Sequence, residues 1–271
     1  MSEKMSKILI IGGTGMLGHA AARHLSARHE VWATYRGDFM PPYGKPIAFN
    51  VLDSLDSLPN GFDYVINCVG VIKPYMEKDP LGAIEINAAF PWRLANWCRT
   101  IGAKLLHIST DCVYSGKKGG YTESELHDPL DAYGKSKSLG ECSDRAMVLR
   151  TSIIGEELRG NLSLLEWTRS KAGQTIDGYV NHMWNGVTTN ALSEIFERVI
   201  SDNLYEVGLF HLHAADDICK RDMVKLISEH YDLGLTVRDA HPEPIDRTLR
   251  SEKSLCAKLK IPTVEEMIKA I

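Results

Sequence analysis

A glycine-rich turn near the start of the chain constrains its fold more than any other feature of the sequence. Glycines stand at positions 12, 13, 15 and 18, directly after the apolar run 8–11 and at the opening of a helical pattern. This spacing allows a sharp turn and a close approach of the backbone to a pyrophosphate, and the helix that follows offers free N–H groups. A strand before the turn and a helix after it predict a dinucleotide-binding turn, the alternative being an ordinary tight βα turn.

The first half of the chain alternates apolar, strand-like runs with helical patterns. Strands are predicted at 8–11, 31–35, 46–51, 63–67, 104–109 and 146–150, and helices from residue 16 and over 80–101 and 133–142. Short continuous apolar runs are typical of strands buried on both faces of a parallel sheet. The alternation therefore predicts an α/β fold, a doubly wound parallel (Rossmann) sheet with a smaller C-terminal substrate-binding region.

The pattern becomes less regular after about residue 150. Helices are predicted at 162–171, 188–201, 218–230, 251–259 and 263–271, and a strand at 209–213. We expect a dinucleotide-binding domain over 1–155 and a mainly substrate-binding region over 156–271. Part of the second region, about 188–213, is expected to return to the main sheet.

Composition and charge exclude several classes of protein. The 271 residues are enough to bury a core without disulfide or metal support. A net charge of −4 gives no electrostatic reason to expect nucleic acid or an acidic membrane surface as a partner. Six scattered cysteines without a C-x-x-C pair indicate neither a zinc site nor a disulfide framework, so no metal is expected.

The cellular location is predicted from the same features. Unpaired cysteines are typical of a cytoplasmic protein with reduced thiols. The polar stretch 1–7 precedes an apolar run too short for a signal peptide, and no later run has the length of a transmembrane helix. We therefore expect a cytoplasmic protein that does not associate with a membrane.

A second motif predicts acid/base chemistry. Tyr133 and Lys137 are four residues apart in a predicted helix and so share one face. A tyrosine has a pKa of about 10, which a neighbouring ammonium lowers, so the pair makes a tunable proton donor. Ser109 and Thr110 end the predicted fifth strand, at the sheet edge where ligands bind in such folds. A hydroxyl there suits a substrate carbonyl that becomes an alkoxide.

Arg36 bears on the choice of cofactor. It ends the predicted second strand, where a carboxylate would bind the ribose 2′-hydroxyl of NAD and a base would suit a 2′-phosphate. No carboxylate stands at 31–36, and a guanidinium can pair a phosphate through two hydrogen bonds. The sequence favours NADPH. Asp38 leaves NADH open, and a solvated Arg36 is the alternative.

Taken in this order, the motifs resemble the extended short-chain dehydrogenase/reductase family, and most of all its dTDP-4-dehydrorhamnose reductase branch. The matching stretches are 12–18, 67–70, 109–116 and 128–137, with looser matches at 149–152 and 186–192. The resemblance covers nearly the whole chain, is strong over 1–155 and weakens beyond about 195.

The resemblance implies roles for particular residues. Tyr133 would be the general acid, Lys137 would tune it and hold the nicotinamide ribose, and Thr110 would bind the substrate oxygen, with Ser109 as a lesser candidate. Lys73 and Asn87 are weaker candidates on the cofactor side. The implied cofactor-binding residues are Gly12, Thr14, Gly15, Met16, Leu17, Gly18, Arg36, Asn50, Val51, Cys68, Val69, Gly70, Ser109, Tyr133 and Lys137.

A substrate side is implied in the same way. Arg150 would touch substrate or orient a loop, and Trp184 would line the pocket or anchor a surface loop. Arg247 is a candidate on chemical grounds, because a guanidinium can bind a diphosphate through two hydrogen bonds, the alternative being a solvated basic turn. The full predicted substrate-binding set is Ser109, Thr110, Asp111, Arg150, His182, Trp184 and Arg247. Dehydratases of the family carry a glutamate after Thr-Asp. Here Cys112 follows Asp111, which disfavours dehydration.

The predicted reaction is hydride transfer from NADPH to a nucleotide-linked keto sugar, at C4 of a 4-keto-6-deoxy sugar, in deoxysugar and cell-surface polysaccharide biosynthesis. Two alternatives stay open: an NAD-retaining sugar-nucleotide epimerase, and a non-catalytic regulatory or binding subunit of the same fold. A homodimer through the helices at 80–101 and 133–143 is one expectation. Trp92, Leu94 and Trp97 would then line an interface or, more simply, the core.

Overall fold

Seven parallel strands form the central sheet of the computed structural model, which describes residues 5–271. Residues 1–4, part of the polar stretch used above to predict location, lie outside the described residues. The strands along the chain are β1 (Lys7–Ile11), β2 (Glu30–Tyr35), β3 (Lys45–Ala48), β4 (Tyr64–Asn67), β5 (Lys104–Thr110), β6 (Met147–Thr151), β7 (Ile153–Ile154), β8 (Thr175–Tyr179), β9 (His182–Trp184), β10 (Val187–Thr188), β11 (Gly208–His211), β12 (Ile218–Cys219), β13 (Thr236–Ala240) and β14 (Ile245–Asp246).

The order of strands creates the cleft. Across the sheet it is β3-β2-β1-β4-β5-β6-β11, so the chain runs outward from β1 in one direction and then returns to build from β4 in the other. In open α/β sheets a crevice forms beyond the carboxyl ends of the strands at this reversal. The turn after β1 lies at that point.

The described part of the chain contains ten α-helices. They are α1 (Met16–Leu25), α2 (Lys73–Met76), α3 (Pro80–Ile84), α4 (Phe90–Ile101), α5 (Ala132–Leu139), α6 (Leu164–Arg169), α7 (Thr189–Ser201), α8 (Lys220–His230), α9 (Ser254–Leu259) and α10 (Val264–Lys269). None of them combines the length and the apolar composition that crossing a bilayer requires.

The apolar run of β1 explains the two layers of helices. Ile8 and Ile10 join the hydrophobic cluster beneath α1 and α7, whereas Leu9 and Ile11 join the cluster beneath α4. Because alternate side chains of a strand point to opposite faces, a strand that is apolar throughout must be covered on both sides. The sheet is therefore doubly wound, as its sequence predicts.

The predicted helix over 80–101 is present in three connected pieces. A π-helical turn at Glu85–Ala89 joins α3 to α4, and Gly102 ends α4 in the left-handed conformation. Leu94 and Trp97 are buried in the core beneath α4, while the Trp92 ring N–H donates to the Leu139 carbonyl at the end of α5.

The C-terminal half contributes one strand to the central sheet and one helix to a layer that covers it. Strand β11 pairs in parallel with β6 as an edge of the central sheet, and α7 packs against α1. The remaining short strands form small separate sheets, in which β9 pairs with β12 and β14, β8 with β13, and β7 with β10. These small sheets place residues from three distant parts of the chain beside the carboxyl ends of β5 and β6.

Candidate active site

Three adjoining cavities follow the carboxyl ends of the strands. The outer cavity, of about 500 Å³, lies beside the end of β2. The central cavity, of about 570 Å³, lies beside the ends of β4 and β5, and the inner cavity, of about 210 Å³, lies against β9 and α8. Val69 and Gly70 line both the outer and central cavities, and Asp111 and Cys112 line both the central and inner ones. The cavities therefore form one continuous cleft.

The glycine turn forms the floor where the outer and central cavities meet. Gly12 has φ +89°, and a Cβ there would lie 2.7 Å from Val69 Cγ2. A Cβ on Gly18 would lie 2.0 Å from the Gly12 carbonyl oxygen, so α1 can approach the turn only without that side chain. Gly15, in contrast, is the N-cap residue of α1, and a Cβ there would approach only the Gly12 carbonyl oxygen, at 3.4 Å. The backbone amides at the start of α1 are thus left accessible from the cleft, which fits a dinucleotide phosphate.

The outer cavity gathers several of the predicted cofactor-binding residues. Arg36, Asn50 and Val51 line it together with Gly12 and Thr14. The Asn50 side chain accepts a hydrogen bond from the Leu52 N–H at 3.1 Å, which shapes the loop after β3. This strand ends at Ala48, earlier than predicted, so Asn50 and Val51 belong to a loop that faces the cavity.

The central cavity holds most of the remaining predicted residues. They are Gly15, Met16, Leu17, Cys68, Val69, Gly70, Ser109, Thr110, Asp111, Tyr133 and Lys137. Asn87 contacts the loop from beneath, since its side chain bonds both the N–H and the carbonyl of Val71, at 2.8 and 2.9 Å. Lys73 forms an ion pair with Asp131 at 2.6 Å.

Lys137 is a buried cation with an open side. Only 5% of it is exposed, and its ammonium donates to the Ile108 carbonyl at 2.8 Å. Burial lowers the pKa of Lys137 to about 8, opposed by the nearby Glu141 carboxylate. The group therefore stays mostly protonated at neutral pH and carries a positive charge at the wall of the cavity.

Tyr133 is held where a proton donor is needed. The Asp131 side chain caps α5 by accepting from the Gly134 N–H at 2.8 Å. A Cβ on Gly134 would lie 2.1 Å from the Cys112 carbonyl oxygen, so this glycine lets α5 approach the turn after β5. Burial raises the pKa of Tyr133, and a side-chain hydrogen bond with Thr110 opposes the shift. The phenol consequently keeps its proton at neutral pH.

The two hydroxyls at the end of β5 have different hydrogen-bond partners. The Thr110 hydroxyl donates to Asp111 at 3.1 Å and accepts from the Cys112 N–H at 3.2 Å. The Ser109 hydroxyl donates to the buried Glu141 carboxylate. Both residues line the central cavity, but Glu141, the partner of Ser109, does not line it, whereas both partners of Thr110 do.

The expectation that Arg150 contacts substrate is wrong. The residue is fully buried and lines none of the three cavities. Its guanidinium binds the Glu141 carboxylate with contacts of 2.9 and 2.6 Å. The remaining donors reach Tyr114, His211 and His127. These partners occupy all the N–H donors of Nη1 and Nη2. Arg150 therefore holds the surrounding buried side chains in place instead of binding a ligand.

The predicted substrate-side residues His182, Trp184 and Arg247 line the inner cavity with Asp111. His182 lies within hydrogen-bonding distance of the Glu243 carbonyl at 2.9 Å, and Arg247 donates to the Tyr114 carbonyl at 2.9 Å. Burial raises the pKa of Asp111, which the Arg247 charge opposes. Burial also raises the pKa of the Cys112 thiol to about 12, which fits a packing role.

Two features of the cleft were not foreseen from the sequence. Lys220, the first residue of α8, lines the inner cavity. Residues 157–159 line the central cavity, and the Arg159 guanidinium lies 3.7 Å above the Phe39 ring. The Glu157 carboxylate shapes this segment by accepting from the Leu162 and Ser163 N–H groups at 3.0 and 2.8 Å. Neither feature has a sequence signature, because each depends on contacts with distant parts of the chain.

The chain matches the model of a known protein family. The family described as RmlD substrate binding domain matches residues 5–260. The chain belongs to this family. The predicted resemblance and the predicted α/β fold class are thereby confirmed.

Known proteins are similar to this chain over different shares of its length. The dTDP-4-dehydrorhamnose reductase of Aggregatibacter actinomycetemcomitans is 30% identical over 222 residues, 76% of this chain and 73% of that protein. Methionine adenosyltransferase 2 subunit beta of Mus musculus is 33% identical over 140 residues, 50% of this chain and 41% of that protein. The crystal structure of dTDP-4-dehydrorhamnose reductase from Bacillus anthracis in complex with NADP aligns with a TM-score of 0.80, at 20% identity and 98% coverage of both chains.

Proposed function

We propose that the chain is an NAD(P)-dependent sugar-nucleotide oxidoreductase that reduces a nucleotide-linked keto sugar, at C4 of a 4-keto-6-deoxy sugar. The observation that carries the proposal is the meeting of Thr110, Tyr133 and Lys137 in a cavity continuous with the glycine turn. Membership of the RmlD family and similarity to a dTDP-4-dehydrorhamnose reductase support the choice of substrate class.

The chain's own residues supply proton transfer and charge stabilisation. A bound nicotinamide supplies the hydride that converts the carbonyl carbon to an alcohol. The Tyr133 hydroxyl donates its proton to the carbonyl oxygen, and the Thr110 hydroxyl rotates to hydrogen-bond the same oxygen. The Lys137 ammonium stabilises the Tyr133 phenolate until solvent returns the proton.

NADPH is the proposed cofactor, with NADH as a weaker substitute. Arg36 and Lys78 both line the outer cavity, where a 2′-phosphate would lie. The carboxylate that lines the same cavity, Asp79, caps α3 by accepting from the Gly82 N–H at 3.0 Å. The local balance of charge favours an additional phosphate over a bare ribose.

A homodimer through α3 and α5 is a further part of the proposal. Leu81, Ile84 and Leu139 project from these helices with exposed fractions of 81%, 45% and 67%. Exposed apolar side chains of this size favour contact with a second protein surface. Sedimentation equilibrium is expected to report a dimer that the Leu139→Glu substitution weakens. A monomeric wild-type protein would contradict this part.

The test of the reaction is turnover of a panel of dTDP-, UDP-, GDP- and CDP-linked 4-keto sugars. NADPH oxidation, followed by absorbance, is expected with at least one sugar. Tyr133→Phe removes the proton donor and is expected to lower kcat by about 10²- to 10⁴-fold. NADPH binding, followed by fluorescence, serves as the control and should be retained. Turnover by Tyr133→Phe within tenfold of wild type would contradict the assigned role.

The same experiment separates the alternatives. An epimerase would copurify with its cofactor and interconvert sugar isomers without net consumption of NADPH. A non-catalytic subunit is the second candidate, because the chain is similar to methionine adenosyltransferase 2 subunit beta over half its length. It would show no turnover with any sugar and would copurify with a partner protein. The complete set of Thr110, Tyr133 and Lys137 favours catalysis.

A further inference from the structure

One loop reaches across the cleft from the side of β6 to the side of β2. Residues 156–162, here called the strap, connect β7 to α6, and Arg159 in the strap contacts Phe39 in the loop after β2. Strand β7 directly follows β6, and β5, β4 and β1 lie between β6 and β2 in the sheet. Neighbouring strands lie about 4.8 Å apart, which places β2 and β6 about 19 Å apart. The strap therefore reaches across the ends of the strands between them.

Hydrogen bonds within the loop fix the base of the strap. The Glu157 carboxylate accepts from the Leu162 and Ser163 N–H groups at 3.0 and 2.8 Å, and the Ser163 hydroxyl donates to the Gly155 carbonyl at 3.3 Å. Gly160, next to Arg159, has φ +98°, a backbone conformation that favours glycine. Residues 158–162 are exposed. The strap is thus closed at its base, and its tip is free to make contacts across the cleft.

Arg159 combines a contact across the cleft with unused donors. The central carbon of its guanidinium lies 3.7 Å from the centre of the Phe39 ring, the geometry of a cation–π contact. Within residues 5–271, this guanidinium makes no hydrogen bond and no ion pair. A guanidinium carries its N–H groups in its own plane, so stacking on a ring leaves them available to an acceptor at the edge.

The position of Arg159 indicates which acceptor that is. The residue lines the central cavity together with Thr14, Gly15 and Met16 at the start of α1, and it does not line the inner cavity. In the proposed function, the diphosphate of the cofactor lies against the start of α1, so it is the anion nearest to Arg159. Guanidinium groups bind phosphate oxygens through paired hydrogen bonds.

We propose that Arg159, stacked on Phe39, fastens the strap over the bound dinucleotide and binds its diphosphate through the free edge of the guanidinium. The contact must break before the cofactor leaves, so the pair sets the rate of cofactor exchange. Because NADPH and NADH share the diphosphate, this role is separate from that of Arg36 at the 2′-phosphate. The inference rests on the proposed function only in requiring that a nicotinamide dinucleotide binds along the cleft.

The rate of NADPH release tests the proposal. Excess NADP⁺ displaces NADPH, and stopped-flow fluorescence of the nicotinamide reports the rate for wild type and each variant. Arg159→Ala is expected to raise the rate by about 5- to 20-fold, because a charged donor and a stacking contact are lost. Phe39→Leu, which loses the stacking alone, is expected to raise it by about two- to fivefold. Equal rates for wild type and Arg159→Ala overturn the proposal.

Arg99→Ala provides the matched control. Arg99 is exposed on α4 and lines none of the three cavities, so its loss removes one surface charge outside the cleft. The variant should release NADPH at the wild-type rate. Arg159→Lys keeps the charge but not the planar group, and its rate should lie between those of wild type and Arg159→Ala.

The double variant Arg159→Ala/Phe39→Leu tests whether the two residues act as one contact. If they do, Phe39→Leu has no further effect once the guanidinium is absent, since the effects of residues in contact are not additive. Two effects that multiply would mean that the residues act independently, which overturns the fastening role.

A comparison of ligands tests the diphosphate contact. Arg159→Ala should release NADH faster by the same factor as NADPH. Adenosine 2′-monophosphate has no diphosphate, so calorimetric titration should give the same Kd for wild type and Arg159→Ala. A loss confined to NADPH, or a weaker affinity for the monophosphate, would place Arg159 at the 2′-phosphate and overturn the assignment.

Trypsin provides a readout that does not depend on nicotinamide fluorescence. The bond between Arg159 and Gly160 lies in the exposed part of the strap and is a site that trypsin can cut. Saturating NADP⁺ is expected to slow cleavage at this bond, identified by mass spectrometry, and Phe39→Leu is expected to speed it. Cleavage that neither NADP⁺ nor Phe39→Leu changes overturns the proposal.

The strap and the reductase activity can fail separately. If no keto sugar is reduced but Arg159→Ala speeds the release of NADPH, the strap proposal stands and the reductase assignment falls. If a keto sugar is reduced but NADPH leaves wild type and Arg159→Ala at the same rate, the reductase assignment stands and the strap proposal falls. Failure of wild type to bind NADPH overturns both.

Discussion

The central cavity and the interior behind Glu141 are neighbouring regions of the same sheet edge, and each holds a buried cation. In the cavity, the Lys137 ammonium donates to one carbonyl, that of Ile108, and faces open space. In the interior, the Arg150 guanidinium is surrounded by Glu141 and three further side chains. Glu141 lies between them, since it pairs with Arg150 at 2.6 Å and opposes the fall in the Lys137 pKa.

The difference shows that burial of a charge does not by itself indicate a ligand site. Burial lowers the pKa of Lys137 because few groups compensate for its lost hydration. Arg150 is more deeply buried, but its partners replace its hydration completely. A buried cation can bind a ligand only where some of its hydrogen-bonding capacity is left unused. Lys137 meets that condition, whereas Arg150 does not.

The largest expected effect comes from removing the buried ion pair between Arg150 and Glu141. Arg150→Met leaves the Glu141 carboxylate buried without its partner and is expected to lower the free energy of unfolding by about 3–5 kcal/mol. The KM for NADPH of the folded fraction should stay unchanged. Urea unfolding measures the loss, with Lys135→Met, an exposed cation on α5, as the control. A raised KM at unchanged stability would place Arg150 in the site after all.

An intermediate effect is expected from titrating the cavity region. The pKa of Lys137 is about 8, below its ordinary value of 10.5, so the ammonium is lost as pH rises through 8. If the charge supports proton transfer, kcat/KM falls by about tenfold per pH unit above 8. Lys137→Arg stays charged and should move this alkaline limb to higher pH. An alkaline limb at the same pH in Lys137→Arg would contradict the assignment.

Stability changes in the opposite direction over the same range of pH. Between pH 8 and 10.5 the unfolded chain binds a proton at Lys137 that the folded chain has lost. The contribution of this residue to the free energy of unfolding therefore rises with pH across that window. A fall in activity at pH 9 with no loss of stability, measured by thermal unfolding, would separate catalysis from unfolding.

The smallest effect is expected at Arg36, a solvent-exposed cation that can be compared with the two buried ones. Arg36 is exposed at the rim of the outer cavity. Water screens such a charge, so Arg36→Ala is expected to weaken NADPH binding by about 1 kcal/mol, roughly fivefold. NADH lacks the 2′-phosphate and serves as the matched control, with unchanged binding. Equal losses for both cofactors, measured by fluorescence titration, would exclude a contact with the 2′-phosphate.

Much of the cofactor side of the cleft could be predicted from the sequence. The glycine turn, the stretch 68–70, the end of β5 and the start of α5 each follow or precede a recognisable apolar run. Because parallel strands end at the same edge of the sheet, residues that follow separate strands meet in space. Gly15, Gly70, Thr110 and Tyr133 therefore line one cavity although they are far apart in the chain.

The substrate side could be predicted only in part. Trp184 was found through the family resemblance and Arg247 through the phosphate-binding chemistry of arginine, but Lys220 carries no signature of its own. It reaches the inner cavity because β12 pairs with β9, and β9 pairs with β14, in a sheet built from strands of two or three residues. Strands this short have no periodic pattern to detect, so their pairing is invisible in the sequence.

The sequence by itself determined the sheet, the glycine turn and the position of Tyr133 and Lys137 on one helix, because these depend on local spacing and on apolar runs that can be buried in only one way. The tertiary structure alone decided which polar groups stay available to a ligand. Ser109 and Arg150 are adjacent to the site in the fold, but Glu141 and the side chains around it use their hydrogen-bonding capacity. Whether a polar group stays available depends on hydrogen-bond partners that come from distant positions in the chain, and no spacing pattern in the sequence predicts those partners.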